Sequence, residues 1–325
     1  MTLAPSPQVV VLSDEGSPTV SSLVECVSSL GGDAHVLSTR RLPQVGSVAI
    51  DARGSEVQVD GARIRLDDCR GIWDWHAEPP LAWDEDEATA RYVRREWELT
   101  LRGLAVTSPE RIWVNHPAKA DWLEANKLAQ IRLAEQVGFH VPPTLLSNDA
   151  ELIVQFAQQF DNVAVKSQGG AWREQPEGGT AVAYTQRCTS AELDAHRGAL
   201  ARAPVLVQPY IEKLYELRVT VVDGTVFVCR IDSQASGRTE VDWRRDVNAV
   251  PHELIEPSPQ DAERIRALVR AAGLRYAAID LACTPAGRTY FLELNPAGQF
   301  AWIEARTGAP ILRTLAEALL ARDRH

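Results

Sequence analysis

A chain of 325 residues, 45% hydrophobic and 24% charged, has an ordinary globular composition. It is too long for one simple core and about right for two or three lobes. Its 44 acidic residues against 34 basic give a net charge of −10, which disfavours generic binding to nucleic acid or to an anionic membrane. Five scattered cysteines form no C-x-x-C pair, so free thiols in a reducing cytoplasm are expected, with no disulfide frame or structural zinc. No apolar run approaches the ~20 residues of a membrane span. The N-terminus lacks a signal peptide's basic region and long apolar core, and there is no internal repeat.

Val9–Ser13 reads as an apolar strand. Ser17–Leu30 has helical spacing (Val20, Leu23, Val24, Val27) and stops at Gly31-Gly32, and Ala34–Leu37 is the next strand. This β-α-β start predicts an open α/β lobe. No G-x-G-x-x-G follows the first strand, which argues against a dinucleotide there. Val48–Leu66 alternates like a small hairpin region, Gly71–His76 is an aromatic strand, and Glu85–Leu101 is a helix. Ile112–Pro117 runs from strand to loop. Asp121 is placed to cap a helix that ends near Gly138, with Leu128, Ile131, Ala134 and Val137 on its apolar face.

Pro142-Pro143 breaks the chain, and Asn148-Asp149 caps a helix to about Phe160. Asn162–Ser167 is a buried-type strand ending on Lys166. It opens into Gln168–Gly179, a glycine-rich stretch expected to be a mobile loop. Thr189-Ser190-Ala191-Glu192 is a capping box that starts a helix to about Arg202. Val205–Val207 is a strand leading into Gln208-Pro209-Tyr210-Ile211. Glu216–Val222 and Thr225–Ile231 flank Asp223-Gly224, a strong hairpin turn signal. Ser258-Pro259 starts a helix that Gly273 ends. Tyr276–Leu281 and Thr289–Leu294 form a second hairpin around Thr284-Pro285-Ala286-Gly287, and Pro310–Arg322 is a closing helix. The expected division is 1–113, an open α/β lobe, then 114–204 and 205–325.

The chemistry concentrates at the second hairpin. Asp280 ends its first strand, Glu293 interrupts the apolar second strand, and Asn295 points to the same face two residues on. Two carboxylates and an amide oxygen converging make a hard-oxygen site suited to Mg²⁺. Solvated acids flanking a turn are the bland alternative. It is the weaker one for a glutamate inside an apolar run, because buried charges need partners.

Asp280 followed by Glu293-x-Asn295 at a sheet end resembles the metal end of the ATP-grasp ligases, and the likeness extends over roughly residues 112–320. That resemblance implies an α/β (α+β) ATP-grasp fold in which two lobes sandwich ATP. It implies that Lys127 and Lys166 hold nucleotide phosphates, where a compact ammonium neutralises charge. The glycines after Lys166 would close backbone N–H groups over the phosphates. There is no Walker A sequence. The hinge Gln208-Pro209-Tyr210-Ile211 would bind adenine, Pro209 through its C=O and Ile211 through its N–H. Glu212 or Glu216 would hold the ribose. Arg218 and Arg244 would bind the transferred phosphoryl group and the acyl phosphate, a task suited to a fixed guanidinium fork. A surface salt bridge with Asp242 or Asp246 is the rival reading, stronger for Arg245 than for Arg244.

A narrower likeness rests on Trp113-Val114-Asn115-His116-Pro117, on Asp242-Trp243-Arg244, and on Leu294-Asn295-Pro296-Ala297-Gly298-Gln299-Phe300-Ala301-Trp302-Ile303-Glu304 followed by Thr307-Gly308-Ala309-Pro310-Ile311. These resemble the ATP-grasp maturases of the graspetide (microviridin-type) pathways. Such enzymes join Asp or Glu side chains of a ribosomal precursor peptide to Ser, Thr or Lys through an acyl phosphate, releasing ADP and phosphate. The implied partner is a precursor peptide with leader and core, and a homodimer is one reading of the oligomeric state. The alternative is an ATP-grasp ligase that adds a free amino acid or amine to a peptide or small acid. One departure stands out: Ile72-Trp73-Asp74-Trp75-His76 occupies the place where those enzymes lead one to expect Trp-Tyr-Arg-Arg, which bears on the substrate more than on the ATP chemistry. His76, His116 and His252 read as structural or solvated.

Overall fold

The computed structural model describes residues 8–321 apart from 14–15, 52, 60–61, 79, 81–85, 169–171, 175–179 and 183. At the N-terminus a four-stranded parallel sheet runs in the order Asp33–Ser38, Gln8–Ser13, Gly71–Asp74, Ile112–Val114. Val9 to Leu12 are buried without alternation, as expected for a parallel strand covered on both faces. The helix Pro18–Ser29 covers one face with Val20, Leu23 and Val27. The alternating stretch after it becomes a three-stranded antiparallel sheet, Gly46–Asp51, Gly54–Val59 and Ala62–Arg65. Asp86 caps the long helix Glu87–Thr107 by accepting from the backbone N–H groups of Ala88 and Thr89.

The chain departs from the sequence reading after Pro117. No helix is capped by Asp121. Proline sets the helical φ and has no N–H to satisfy, so a helix already starts there and spans Pro117–Glu124. Asp121 lies inside it and accepts from Arg102 Nε at 2.7 Å. A second helix, Lys127–Gln136, begins after a break at Ala125-Asn126, where Gln130 Nε2 donates to the Leu123 carbonyl at 2.7 Å. Lys127 therefore opens a helix rather than riding on the middle of one.

A four-stranded antiparallel sheet follows, in the order Gln186–Cys188, Val163–Lys166, Val205–Pro209, Leu145–Ser147. Its last strand has three residues, too few for a periodic signal. Asp149 caps Ala150–Ala157, and the capping box at Thr189 is present, although the helix after it breaks at His196 into Ser190–Ala195 and Arg197–Leu200. Within the stretch expected to be a loop, Trp172–Glu174 pairs antiparallel with Thr180–Val182, and the glycines lie outside the described residues.

The C-terminal sheet is five-stranded and antiparallel, in the order His252–Ile255, Thr225–Ile231, Tyr215–Val222, Tyr276–Cys283, Thr289–Asn295. Asp223 (φ 45°) and Gly224 (φ 85°) make the tight turn that the sequence signals. One face carries Val219, Val221 and Ile279, and packs under the helix Pro259–Ala272 through Ile265, Leu268 and Val269. The opposite face carries Glu216, Arg218, Asp280 and Glu293. The edge strand His252–Ile255 and the helix Ala301–Thr307 are not anticipated in the sequence. The closing helix Ile311–Leu320 returns to the N-terminal sheet, where Leu315 and Leu319 share a core with Val9, Val11 and Trp73. Among the described residues no helix is long and apolar enough to cross a membrane.

Candidate functional site

A cleft of about 510 Å³ lies over the polar face of the C-terminal sheet. Every residue proposed from the sequence as a site residue lines it except Glu212, the second ribose candidate. Three of them form a row across neighbouring strands, since Arg218 is the cross-strand partner of Asp280 and Asp280 of Glu293. The register shifts just after Asp280, so that Leu281 faces Phe291 and Leu292 is the extra residue of a bulge. Without that residue strict alternation would turn Phe291 to the same face as Glu293. With it, Phe291 and Leu294 both enter the core while Glu293 and Asn295 face the cleft.

Like charges directly opposite one another on adjacent strands repel. Here each carboxylate has its own cation. Arg218 donates to Asp280 Oδ1 at 3.0 Å, and Lys127 Nζ donates to Glu293 Oε2 at 2.8 Å. Arg244 stands 3.6 Å from Glu293 Oε1, which also accepts from Asn295 Nδ2 at 3.0 Å. Burial pushes both acids towards neutrality. For Glu293, Lys127 and Arg244 outweigh burial and hold the carboxyl well below its ordinary range. For Asp280, only 6% exposed, burial and the neighbouring charge of Glu293 win over Arg218 and the pKa is raised.

Arg244 is held by a fork to Asp242, Nε to Oδ1 at 2.8 Å and NH2 to Oδ2 at 2.7 Å, so the rival salt bridge is present and also aims the guanidinium at Glu293. Lys166 Nζ donates to Gln208 Oε1 at 3.1 Å, and Gln208 Nε2 donates to Thr144 at 2.9 Å. Burial lowers the pKa of Lys166, with Glu293 opposing the shift. In the hinge, Tyr210 N–H donates to Asn162 O at 2.9 Å, its ring lies under Arg187, and its hydroxyl donates to Glu240 O at 3.1 Å. Pro209 and Ile211 border the same cleft. Of the two ribose candidates, Glu216 is buried in the lining beside Lys213 (2.9 Å), while Glu212 is exposed and paired with Arg187 (3.0 Å).

No family model matches the chain, and no curated protein matches it. Solved structures do. An ATP-grasp ligase of Chryseobacterium gregarium, associated with ribosomal peptide modification and solved with ADP and leader and core peptides, superposes with a TM-score of 0.87 at 23% identity, covering 96% of both chains. The macrocyclase MdnC of Microcystis aeruginosa, solved with its precursor peptide MdnA, gives 0.83 at 25% identity over 97% of this chain and 99% of that one. This chain has the ATP-grasp fold. PsnB, an ATP-grasp ligase solved with a variant precursor, Mg and ADP, gives 0.77 at 24% identity over 97% and 98% of the two chains.

The ATP-grasp site rests on residues that carry no direct signal in the sequence. Asn115, 4% exposed, accepts from the N–H groups of Arg275 and Tyr276 (both 2.9 Å) and donates to the carbonyls of Tyr276 and Pro296 (both 2.7 Å). It thereby ties the end of the parallel sheet to the two strands that carry Asp280 and Asn295. Gly298 lets Arg218 in, because a Cβ there would lie 2.6 Å from NH2 of Arg218 and 2.5 Å from Ala278 Cβ. Phe300 anchors the same segment against Trp75 and Tyr276. The long C-terminal motif is thus a cassette that fixes the arginine and the amide. Its resemblance could be read in sequence, but its contacts could not.

The donor set fits a magnesium ion. Two carboxylates meet in register with an amide two residues on, and Asp280 carries a raised pKa, as expected where more positive charge would be favourable. Among the described residues no group of three or more His, Cys, Asp or Glu is placed to hold a metal, so a cation here would take two acids and one amide.

Proposed function

We propose that this ATP-grasp protein is an ADP-forming ligase that activates Asp or Glu side chains of a precursor peptide as acyl phosphates and joins them to Ser, Thr or Lys side chains. The observation that carries the reading is the row of Arg218, Asp280 and Glu293 on three adjacent strands, with Lys127 and Arg244 converging on its end. Acids alone would make a cation site. Acids interleaved with fixed cations suit a transferring phosphoryl group, whose charge must be neutralised on several sides in a water-poor cleft. The neighbours solved with leader, core or precursor peptides support a peptide as the substrate.

Asp280, Glu293 and Asn295 would hold Mg²⁺, which supplies charge neutralisation and a template for the phosphates. Lys127, which opens a helix, and Lys166, at a strand end, bind phosphate oxygens from the lobe 114–204. Pro209 C=O and Ile211 N–H face the adenine edge between Gln208 and Tyr210, because the Tyr210 N–H is already used. Glu216 takes the ribose hydroxyls. Arg218 and Arg244, each aimed by a carboxylate, receive the substrate carboxylate and its phosphate. The test is incubation of a candidate precursor peptide with the enzyme, ATP and Mg²⁺. ADP release together with loss of one water per bond by mass spectrometry is expected. AMP release instead would point to adenylation and overturn the acyl-phosphate route.

A further inference from the structure

Of the residues that line the cleft, His76 alone comes from the chain before Pro117, among the described residues. It follows the strand Gly71–Asp74 in a left-handed conformation (φ 53°), unusual for a residue with a Cβ and a form of strain that gathers at functional sites. Trp75 packs edge-on against the ring at 4.6 Å. On the other side, Gln299 Nε2 donates to His76 Nε2 at 3.0 Å, which puts the proton of the neutral ring on Nδ1. The backbone of the same Gln299 accepts from Arg218 NH2 at 3.3 Å, and Arg218 holds Asp280. A short run of contacts therefore joins the imidazole to the arginine assigned to the acyl phosphate.

The chemistry proposed above has a second half that the residues named so far do not serve. When the nucleophile attacks the acyl phosphate, the new C–N or C–O bond forms, the bond from the acyl carbon to the phosphate oxygen breaks, and a proton must leave the nucleophile. Most of the other charged groups of the cleft are committed, and Glu124, near Lys127, is pushed towards its neutral form by burial and by Asp121. Lys127, Lys166, Lys213, Arg218 and Arg244 are cations with partners, and Asp242 and Glu216 hold arginine and lysine. We propose that His76 is the general base of the coupling step, taking the proton from the attacking amine or hydroxyl onto Nε2 as that group replaces the Gln299 amide there. Phosphate leaves with the bonding electron pair, and the proton passes to solvent. The inference rests on the ligase reading and assigns the acceptor side of the same cleft.

The ring is suited to accept a proton at neutral pH. Desolvation lowers its pKa, Glu78 on its own segment pulls the other way, and Trp75, itself packed on Phe300, is an apolar wall on one side of the partly exposed ring. It also occupies the segment Ile72-Trp73-Asp74-Trp75-His76, which departs from the expected aromatic-arginine pattern.

The test separates the two half-reactions. A candidate precursor peptide, a leader followed by a core bearing Asp or Glu and Ser, Thr or Lys, is incubated with Mg²⁺, ATP and hydroxylamine, which traps an acyl phosphate as hydroxamate without help from a base. His76→Ala is expected to form hydroxamate within about twofold of the wild type and to crosslink about 10²-fold more slowly or worse. Added imidazole should restore part of the crosslinking, rising with pH through the imidazole pKa. His76→Gln, which keeps a hydrogen bond but no base, should not restore it. Wild-type crosslinking by His76→Gln, or an equal fall in hydroxamate and crosslink in His76→Ala, overturns the proposal. A wild type that forms neither hydroxamate nor ADP overturns the ligase reading itself.

Discussion

Asn115→Ala is a demanding test of how the site is held. The amide makes four hydrogen bonds, to the backbone N–H groups of Arg275 and Tyr276 and to the carbonyls of Tyr276 and Pro296. Each buried group left without a partner costs about 1–3 kcal/mol. Water entering the vacated space recovers part of this, so four groups at the low end give about 3–5 kcal/mol. For a chain of this size about 2 °C of melting temperature per kcal/mol is expected, hence a fall of about 6–10 °C. Tryptophan fluorescence on heating, at fixed protein concentration and without nucleotide, reads it directly. The loosened bonds hold the start of the Asp280 strand and the residue after Asn295, so the Mg²⁺ needed for half-maximal turnover should rise as well. A variant melting within about 1 °C of the wild type, with unchanged Mg²⁺ dependence, would mean that the four bonds are matched by water and that the parallel sheet does not brace the acids.

Burial pushes Asp74 up to about 7, with Asp121 adding to the shift, against an unfolded value near 3.8. The folded state thus holds the proton more tightly, so the carboxyl loses stability for the protein as pH rises through that window; Asp74→Asn should melt several degrees higher than wild type at pH 8 and alongside it near pH 4. Gly298→Ala forces a methyl group against Arg218 and Ala278, and should cost about 1–3 kcal/mol and slow turnover by at least about tenfold, measured by ADP release. Glu293→Gln should abolish turnover in a folded protein, and near-normal ADP production would remove it from the metal site. Lys127→Met should weaken ATP binding about tenfold yet tighten Mg²⁺ binding in the absence of nucleotide, both by calorimetry; unchanged metal affinity would show that the Lys127–Glu293 pair is incidental.

Much of the fold is legible in the sequence because the elements around the cleft obey one period each. The helix Pro259–Ala272 carries its proline, its apolar stripe and its glycine stop in order, and the turn Asp223-Gly224 fixes its hairpin. Asp280, Glu293 and Asn295 are legible as a group because charge inside an apolar run demands partners. What is hidden is long-range. The break at Ala125-Asn126 depends on Gln130 reaching back to Leu123, and nothing in the local pattern distinguishes it from one continuous helix. The bulge at Leu292 is invisible in a run of apolar residues, although it decides which of them face the core. Asn115 and Gln299 look like loop residues until the strands they serve, more than a hundred positions away, are brought to them.

The two lysines differ in their resting partners, and on the proposed assignment that difference would couple metal to nucleotide. Lys166 rests on a neutral amide oxygen, so moving it to a phosphate exchanges one hydrogen bond for a stronger, charge-assisted one. Lys127 rests on Glu293, and drawing it to a phosphate strands a buried carboxylate unless another cation arrives. A divalent ion bound with the nucleotide would meet that need, held by Glu293 together with Asp280 and Asn295. On the proposed assignment, metal and nucleotide would favour each other's binding by linkage, each removing a charge imbalance the other creates. Arg244 remains fixed by its fork to Asp242 throughout, so the exchange alters the partner of one lysine while the guanidinium that faces Glu293 stays aimed into the cleft.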